Sequence, residues 1–202
     1  NVQKWSKNNL LDNKKPIFII GFPRSGTTLL DTILRSHDFV DVIEEKPMIT
    51  YLMKLLYKLI DQKFENLKKL NLKQNLILQE EYYKDLQKNI KNNNLSKKIL
   101  IDKMPLNIIH VGEIIRIFPD AKFILCLRHP YDSVLSCFMQ SFKLNDSMAN
   151  FLNLNDAAIM YDNTMALWVQ YTKLFSINFH VVKYEDIINN FDETVENILK
   201  FL

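Results

Sequence analysis

The sequence predicts an α/β fold of three layers, in which a central parallel β-sheet is flanked by helices. Short apolar runs rich in Ile, Val and Phe alternate with helical patterns, which is typical of parallel strands buried on both faces. The predicted strands are 17–20, 99–101, 122–127 and 179–182. A short loop at 21–26 joins the first strand to a helix, and ligands of parallel sheets bind at such carboxyl ends of strands.

The predicted helices carry apolar residues on one stripe at the 3.6-residue period. Helical patterns cover 27–36, 107–118 and 149–176. In the first of them the stripe consists of Leu29, Leu30, Ile33 and Leu34. Strands and helices that alternate in this way predict right-handed β–α–β units.

The segment between the first two predicted strands, 47–98, is predicted to be a helical insertion. It contains helical patterns near 48–63 and 74–91, and a tail rich in Lys and Asn at 92–98. Two interpretations stay open for the insertion: a wall or lid over the ligand site, or a solvated helical excursion.

The composition predicts one globular domain. The chain has 202 residues, of which 48% are hydrophobic and 24% are charged, and this is enough for a single sizeable core. We predict the domain over 16–202, after a linker or the remnant of an upstream region at 1–15. The net charge of +3 is mild and spread along the chain, so nucleic-acid binding is not predicted.

Several other classes of protein are disfavoured. No apolar stretch reaches the roughly 18 residues of a membrane span, and the N-terminus has no signal-peptide pattern, so we predict a cytoplasmic protein. Cys126 and Cys137 lie in apolar patterns and are interpreted as buried thiols. The histidines show no metal-ligand spacing, so no metal site is predicted.

The loop at 21–26 resembles the nucleotide P-loop G-x-x-x-x-G-K-[ST] in its two glycines and in Thr28, but Thr27 stands where the lysine should be. Backbone N–H groups at the start of a helix attract anionic oxygens, and Ser25 adds a hydroxyl donor to those of the two threonines. We therefore predict a P-loop-like phosphate site with Arg24 as its cation, and its reaction need not be γ-phosphoryl transfer.

Four segments match the motifs of one known family, in that family's order: 23–28, 102–105, 123–136 and 182–186. Together they resemble the sulfotransferases that use 3′-phosphoadenosine 5′-phosphosulfate (PAPS). The resemblance implies a P-loop NTPase-like sulfotransferase fold. It also implies that the 5′-phosphosulfate is bound by Pro23, Arg24, Ser25, Gly26, Thr27 and Thr28.

Three charged residues are candidates for catalysis. Arg24 can stabilise charge that develops on the sulfuryl and bridging oxygens, although a surface arginine beside a turn is the alternative. Glu45 is the candidate general base, because the acceptor hydroxyl must lose a proton; a solvated pair with Glu44 at the start of the next helix is the alternative. Lys103 can reach the leaving phosphate as a point charge and acid. Pro105, where small-molecule sulfotransferases have a base histidine, favours the Glu-base class.

A second anion site is predicted after the strand at 122–127. Arg128 ends that strand and Ser136 lies two helical turns further on, so a guanidinium and a hydroxyl can bind the 3′-phosphate. The alternative is an ion-paired strand end and an ordinary helix residue. Tyr184 resembles the residue that contacts adenine, or else packs at a strand end. Asp102 also fits a Walker B carboxylate, which the missing P-loop lysine disfavours.

The resemblance implies transfer of the sulfuryl group from PAPS to an acceptor hydroxyl, with release of 3′,5′-adenosine bisphosphate and without a metal. The acceptor is a peptide tyrosine, a glycan or a lipid. The likeness is nearest to protein-tyrosine sulfotransferases and to bacterial enzymes in which the domain follows helical repeats. It implies an upstream helical-repeat domain and a further segment beyond Leu202. The alternatives are a P-loop-type nucleotide kinase and a non-catalytic module that binds a phosphorylated ligand.

Overall fold

The computed structural model describes residues 15–90 and 99–202. Almost all of the predicted linker at 1–15 and the tail at 92–98 therefore lie outside the described residues. The strands are β1 (Ile17–Gly21), β2 (Val40–Glu44), β3 (Ile99–Lys103), β4 (Lys122–Leu127) and β5 (Asn178–Lys183). They form a parallel sheet in the order β2-β3-β1-β4-β5.

Helices connect these strands. They are α1 (Thr27–Arg35), α2 (Met48–Leu59), α3 (Leu72–Asn89), α4 (Val111–Ile117), α5 (Pro130–Phe138), α6 (Leu154–Leu174), α7 (Tyr184–Asn189) and α8 (Phe191–Phe201). Short 3₁₀ helices at Pro105–His110 and Met148–Leu152 replace the first turns of the helices predicted at 107–118 and 149–176. The second of these ends where the side chain of Asn153 accepts N–H bonds of α6 and caps it.

The strands direct alternate side chains into two hydrophobic cores, one on each face of the sheet. In β1, Phe18 and Ile20 lie in the core formed with α2, α3, α4 and α6. Ile17 and Ile19 lie in the core formed with α1, α7 and α8. All four side chains are buried, and the predicted three-layer α/β fold is confirmed.

The edge strand β2 is missing from the sequence prediction. It pairs with β3 from Val40 opposite Ile99 to Glu44 opposite Lys103. Asp41 interrupts its apolar residues, and an edge strand does not need the continuous apolar run by which buried parallel strands are recognised. The strand brings Glu44 to the carboxyl edge of the sheet, beside Lys103, instead of placing it at the start of a helix.

The insertion at 47–98 contributes α2 and α3 to one helical layer. Its large buried side chains join the same core as β1 and include Leu52, Leu56, Leu78 and Tyr82. Helix α2 ends at Leu59, short of the predicted 63. The reason is that Asp61 and Gln62 adopt φ angles of 54° and 59°, outside the right-handed helical region.

The remaining predictions concern thiols, metals and membranes. Cys126 and Cys137 are free and buried, as predicted, and burial raises the pKa of both thiols. In the part of the chain that the structure describes, no group of three or more His, Cys, Asp or Glu side chains could hold a metal ion. None of the described helices combines the length and the apolar character that a membrane span requires.

Candidate active site at the carboxyl edge of the sheet

The loop between β1 and α1 has a backbone that depends on its two glycines. Arg24 and Gly26 adopt φ angles of 67° and 94°, a left-handed conformation that glycine tolerates best. A Cβ on Gly26 would lie 2.8 Å from Cδ2 of Tyr184, and one on Gly21 would lie 2.6 Å from the carbonyl oxygen of Cys126. The loop therefore packs closely against the ends of β4 and β5.

Three buried polar groups at this end of the sheet have no hydrogen-bond partner among the described residues: the hydroxyls of Ser25 and Ser133 and the Nε of Arg128. We call these three residues the cradle. Ser25 is 2% exposed and Ser133 is 0% exposed. Leaving a buried donor unpaired costs roughly 1–3 kcal/mol, so unpaired donors concentrated in one place are typical of a site that a polar ligand completes.

Arg24 reaches from the loop to α5. Its Nε donates to Oγ of Ser136 over 3.0 Å, and Cys137 Sγ lies 3.4 Å from the carbonyl oxygen of Pro23. The structure thus brings together Arg24, assigned from the sequence to the 5′-phosphosulfate, and Ser136, assigned to the 3′-phosphate. This contact lies between the loop and the second turn of α5.

Arg128 lies between α5 and the start of α7. Its guanidinium carbon is 4.7 Å from the ring centroid of Tyr184, and its Nη2 is 3.6 Å from Oδ2 of Asp132. The backbone N–H of His129 donates to Glu185 Oε1 over 2.9 Å, which lowers the pKa of that carboxyl. These contacts fix the segment after β4 to the start of α7 and give Tyr184 a packing role beside Gly26.

A second group of side chains meets at the ends of β2 and β3. The ammonium of Lys103, whose side chain is 0% exposed, lies 3.1 Å from Oε1 of Glu44 and 2.9 Å from Oε1 of Glu45. Asp31 Oδ2 is 3.8 Å from the same nitrogen. Arg35 also binds Glu44, with Nη2 to Oε2 at 3.0 Å. We call these five residues the charged cluster.

Asp31 and Arg35 were not recognised from the sequence. Arg35 binds both carboxylate oxygens of Asp31, with Nε to Oδ1 at 2.6 Å. The pKa of Glu44 is held below its ordinary value by Arg35 first and Lys103 second. A signal was present: Asp31 lies beside Leu30 on the buried side of α1, where a charged residue requires a partner.

Asp102 lies next to Lys103 in β3 but on the other face of the sheet. Its carboxylate is 1% exposed, and its Oδ2 is 3.4 Å from the hydroxyl of Tyr82. Burial raises the pKa of Asp102 to about 8. The residue therefore belongs to the core under α3, and the Walker B interpretation does not fit its position.

The chain also shares sequence and fold with known proteins. An uncharacterized protein of Aquifex aeolicus (strain VF5) is 28% identical over 196 residues, which are 94% of this chain and 25% of that protein. The chain thus spans about a quarter of the length of this curated relative.

Solved structures show the likeness of fold. Sulfotransferase STF9 from Mycobacterium avium has a TM-score of 0.59 at 15% identity, with 93% of this chain and 63% of that chain covered. The sulfotransferase from Alicyclobacillus acidocaldarius gives 0.58 at 17% identity, over 93% and 80%. The sulfotransferase domain of the Synechococcus PCC 7002 olefin synthase gives 0.54 at 20% identity, over 98% and 76%.

A family model decides the assignment, because it matches nearly the whole length of the sequence. The model is that of the sulfotransferase family, and it matches residues 16–202. This chain is therefore a member of the sulfotransferase family.

Proposed function

We propose that this chain transfers the sulfuryl group of PAPS to an acceptor hydroxyl and releases 3′,5′-adenosine bisphosphate. The observation that carries the proposal is the position of the cradle and the charged cluster at the same edge of the sheet. The cradle offers unpaired donors for an anion. The charged cluster offers a carboxylate that can accept a proton and an ammonium that can stabilise negative charge.

The donor binds along the loop and the start of α5. Backbone N–H groups at the start of α1 and the hydroxyls of Ser25, Thr27 and Thr28 hold the 5′-phosphosulfate. Arg128 and Ser136 bind the 3′-phosphate, for which a guanidinium fork is well suited. The adenine ring lies against Tyr184.

The transfer step forms one bond and breaks another. The acceptor oxygen attacks sulfur, the bond from sulfur to the bridging oxygen breaks, and its electron pair stays on the 5′-phosphate. Glu45 takes the proton of the acceptor hydroxyl, while Lys103 and Arg24 stabilise charge on the bridging and equatorial oxygens. A sulfuryl group carries less negative charge than a phosphoryl group, so we propose no metal in this step.

A transfer assay tests the proposal. The chain is incubated with sulfur-labelled PAPS and a panel of tyrosyl peptides, glycans and lipids, and label in the acceptor is counted. Transfer to any of these acceptors supports a sulfotransferase and identifies the acceptor class. A chain that binds PAPS without transfer to any of them would be a non-catalytic binding module.

A P-loop-type kinase is distinguished by binding alone. Thr27 in place of the P-loop lysine disfavours ATP. Calorimetry with PAPS and with ATP, each with and without EDTA, is expected to show tighter binding of PAPS that does not change with EDTA. Tighter, magnesium-dependent binding of ATP would contradict the proposal.

A further inference from the structure

Asp31 is a carboxylate that the fold has removed from water. Its side chain is 0% exposed, and an unpaired charge in such a place is strongly unfavourable. Two cations compensate it: the guanidinium of Arg35, bound through both carboxylate oxygens, and the ammonium of Lys103 at 3.8 Å. Asp31 therefore connects α1 to Lys103, the lysine proposed to act in sulfuryl transfer.

Arg35 connects the same ion-pair group to β2. Its Nη2 lies 3.0 Å from Oε2 of Glu44, so one guanidinium bridges a carboxylate of α1 and a carboxylate at the end of β2. The planar fork of arginine suits two such partners, and lysine cannot reproduce it. Glu44 is consequently bound on both sides, by Arg35 at Oε2 and by Lys103 at Oε1.

Glu45 differs from its neighbour in the number of its side-chain contacts. Among the described residues its carboxylate has one recorded partner, Lys103 at 2.9 Å, and its side chain is 54% exposed. Its backbone N–H donates to the carbonyl oxygen of Lys103, which keeps the residue at the sheet edge. Arg35 thus makes the two glutamates unequal, because it binds Glu44 and is not a recorded partner of Glu45.

We propose that Asp31 and Arg35 are positioning residues: they hold Glu44 to α1 independently of Lys103, so that when an anionic donor attracts the ammonium of Lys103, Glu45 loses its partner while Glu44 stays bound by Arg35. The inference rests on the proposed function, in which the anion is PAPS or its bisphosphate product. Its consequence is an order of events. The carboxylate of Glu45 stays engaged by the ammonium until a donor is bound, and only then is free to accept the acceptor's proton.

The test follows the two carboxylates directly. Protein labelled with carbon-13 at the glutamate carboxyl carbons is titrated with 3′,5′-adenosine bisphosphate and observed by NMR, with Glu44→Gln and Glu45→Gln used to assign the two signals. In the wild-type protein we expect the Glu45 signal to shift and the Glu44 signal to stay. In Arg35→Gln we expect both signals to shift, and the pKa of Glu44 to rise without ligand.

The control is Lys200→Gln, which removes an ion pair with Glu196 on the exposed surface of α8 and should keep the wild-type pattern. Arg35→Gln removes one of the two cations beside the buried carboxylate of Asp31 and leaves Lys103 there, so its stability is expected to fall, and thermal unfolding sets the temperature at which the folded variant is observed. Equal shifts of both signals in the wild-type protein, or the wild-type pattern in Arg35→Gln, would overturn the positioning role alone. Failure of the bisphosphate to bind would instead remove the proposed function, and this inference with it.

Discussion

The cradle and the charged cluster lie at the same edge of the sheet but differ in how their polar groups are paired. In the cradle, Ser25, Ser133 and Arg128 each keep a buried polar atom without a partner among the described residues. In the charged cluster, by contrast, the ammonium of Lys103 lies within 4 Å of three carboxylates.

This difference indicates which contacts a ligand forms or replaces in the cradle and in the charged cluster. A ligand in the cradle can bond to three atoms that have no partner among the described residues, so binding energy is available there. A ligand that reaches the charged cluster has to replace an existing ion pair. We therefore expect the cradle to determine affinity and the charged cluster to determine rate.

The largest expected effect separates rate from affinity. Glu45→Gln should retain nearly the wild-type affinity for 3′,5′-adenosine bisphosphate, because the amide keeps the size of the side chain. Turnover should fall roughly 10²-fold to 10⁴-fold as general-base catalysis is lost. Calorimetry with the bisphosphate and initial rates with the acceptor found in the transfer assay measure the two quantities.

Glu44→Gln is the matched control for that experiment. This substitution removes the same negative charge one residue away, but the carboxylate of Glu44 is bound to Arg35 and Lys103. A smaller loss of turnover is expected. Normal turnover in Glu45→Gln together with a large loss in Glu44→Gln would move the base by one residue.

A second comparison sets Lys103 of the charged cluster against Arg24 of the loop beside the cradle. Lys103→Ala should lower the free energy of unfolding by about 1–3 kcal/mol, because it removes a buried side chain and one of the two cations beside Asp31. Arg24 is exposed, so Arg24→Ala should change stability by no more than about 0.5 kcal/mol. It should still cost about 2–4 kcal/mol of transition-state stabilisation. Urea unfolding and transfer rates distinguish the two; equal losses of stability would contradict the contrast.

Nucleotides with and without a 3′-phosphate test whether Arg128 of the cradle binds that group together with Ser136. At about 100 times its dissociation constant, 3′,5′-adenosine bisphosphate should stabilise the fold by about 2.7 kcal/mol. Adenosine 5′-monophosphate at the same concentration should stabilise it less, since it lacks the group assigned to Arg128 and Ser136. Thermal shift measures both, and Arg128→Gln should abolish the difference. Equal stabilisation of the wild-type protein by both nucleotides would be evidence against the 3′-phosphate assignment.

Asp102 predicts how the stability of the core outside these two regions depends on pH. Its pKa is about 8 in the folded chain against an ordinary value of 3.8, so the folded state holds the proton more tightly than the unfolded state. The free energy of unfolding should therefore fall as the pH rises between these values, by at most about 1.4 kcal/mol per pH unit. Asp102→Asn should remove that slope in urea titrations at several pH values. An unchanged slope would assign the effect to other groups.

The sequence predicted the parts of the fold that depend on local pattern. The central strands β1, β3 and β4 are continuous apolar runs, and the stripe of α1 has a clear period. β2 has neither a continuous run nor a central position, because Asp41 is tolerated in a strand that is paired only with β3 among the described strands. An apolar run leaves a signature in sequence; the edge strand β5 has one and was predicted, whereas the edge strand β2 is interrupted by Asp41 and was not.

The residues of the candidate site likewise fall into two groups, those that a local sequence pattern reveals and those that only the fold brings together. The loop residues and the spacing of Arg128 and Ser136 could be found as motifs, since each lies within one short segment. The pairing of Lys103 with Glu44 could not, because it requires β2 to lie beside β3, and the contact of Arg24 with Ser136 requires α5 to pack on the loop. Such contacts follow from strand order, which no local pattern records.

The contact of Gly26 with the ring of Tyr184 has a consequence for the order in which the molecule is assembled. Gly26 stands near the beginning of the described chain and Tyr184 is the first residue after β5, so this contact of the loop forms only after β5 has paired with β4. Contacts of such wide sequence separation form late and slowly. During synthesis the residues of the loop therefore leave the ribosome long before this contact can form. A chain ended before Asn178 would test this, because it keeps the whole loop sequence and is expected to show no affinity for the bisphosphate.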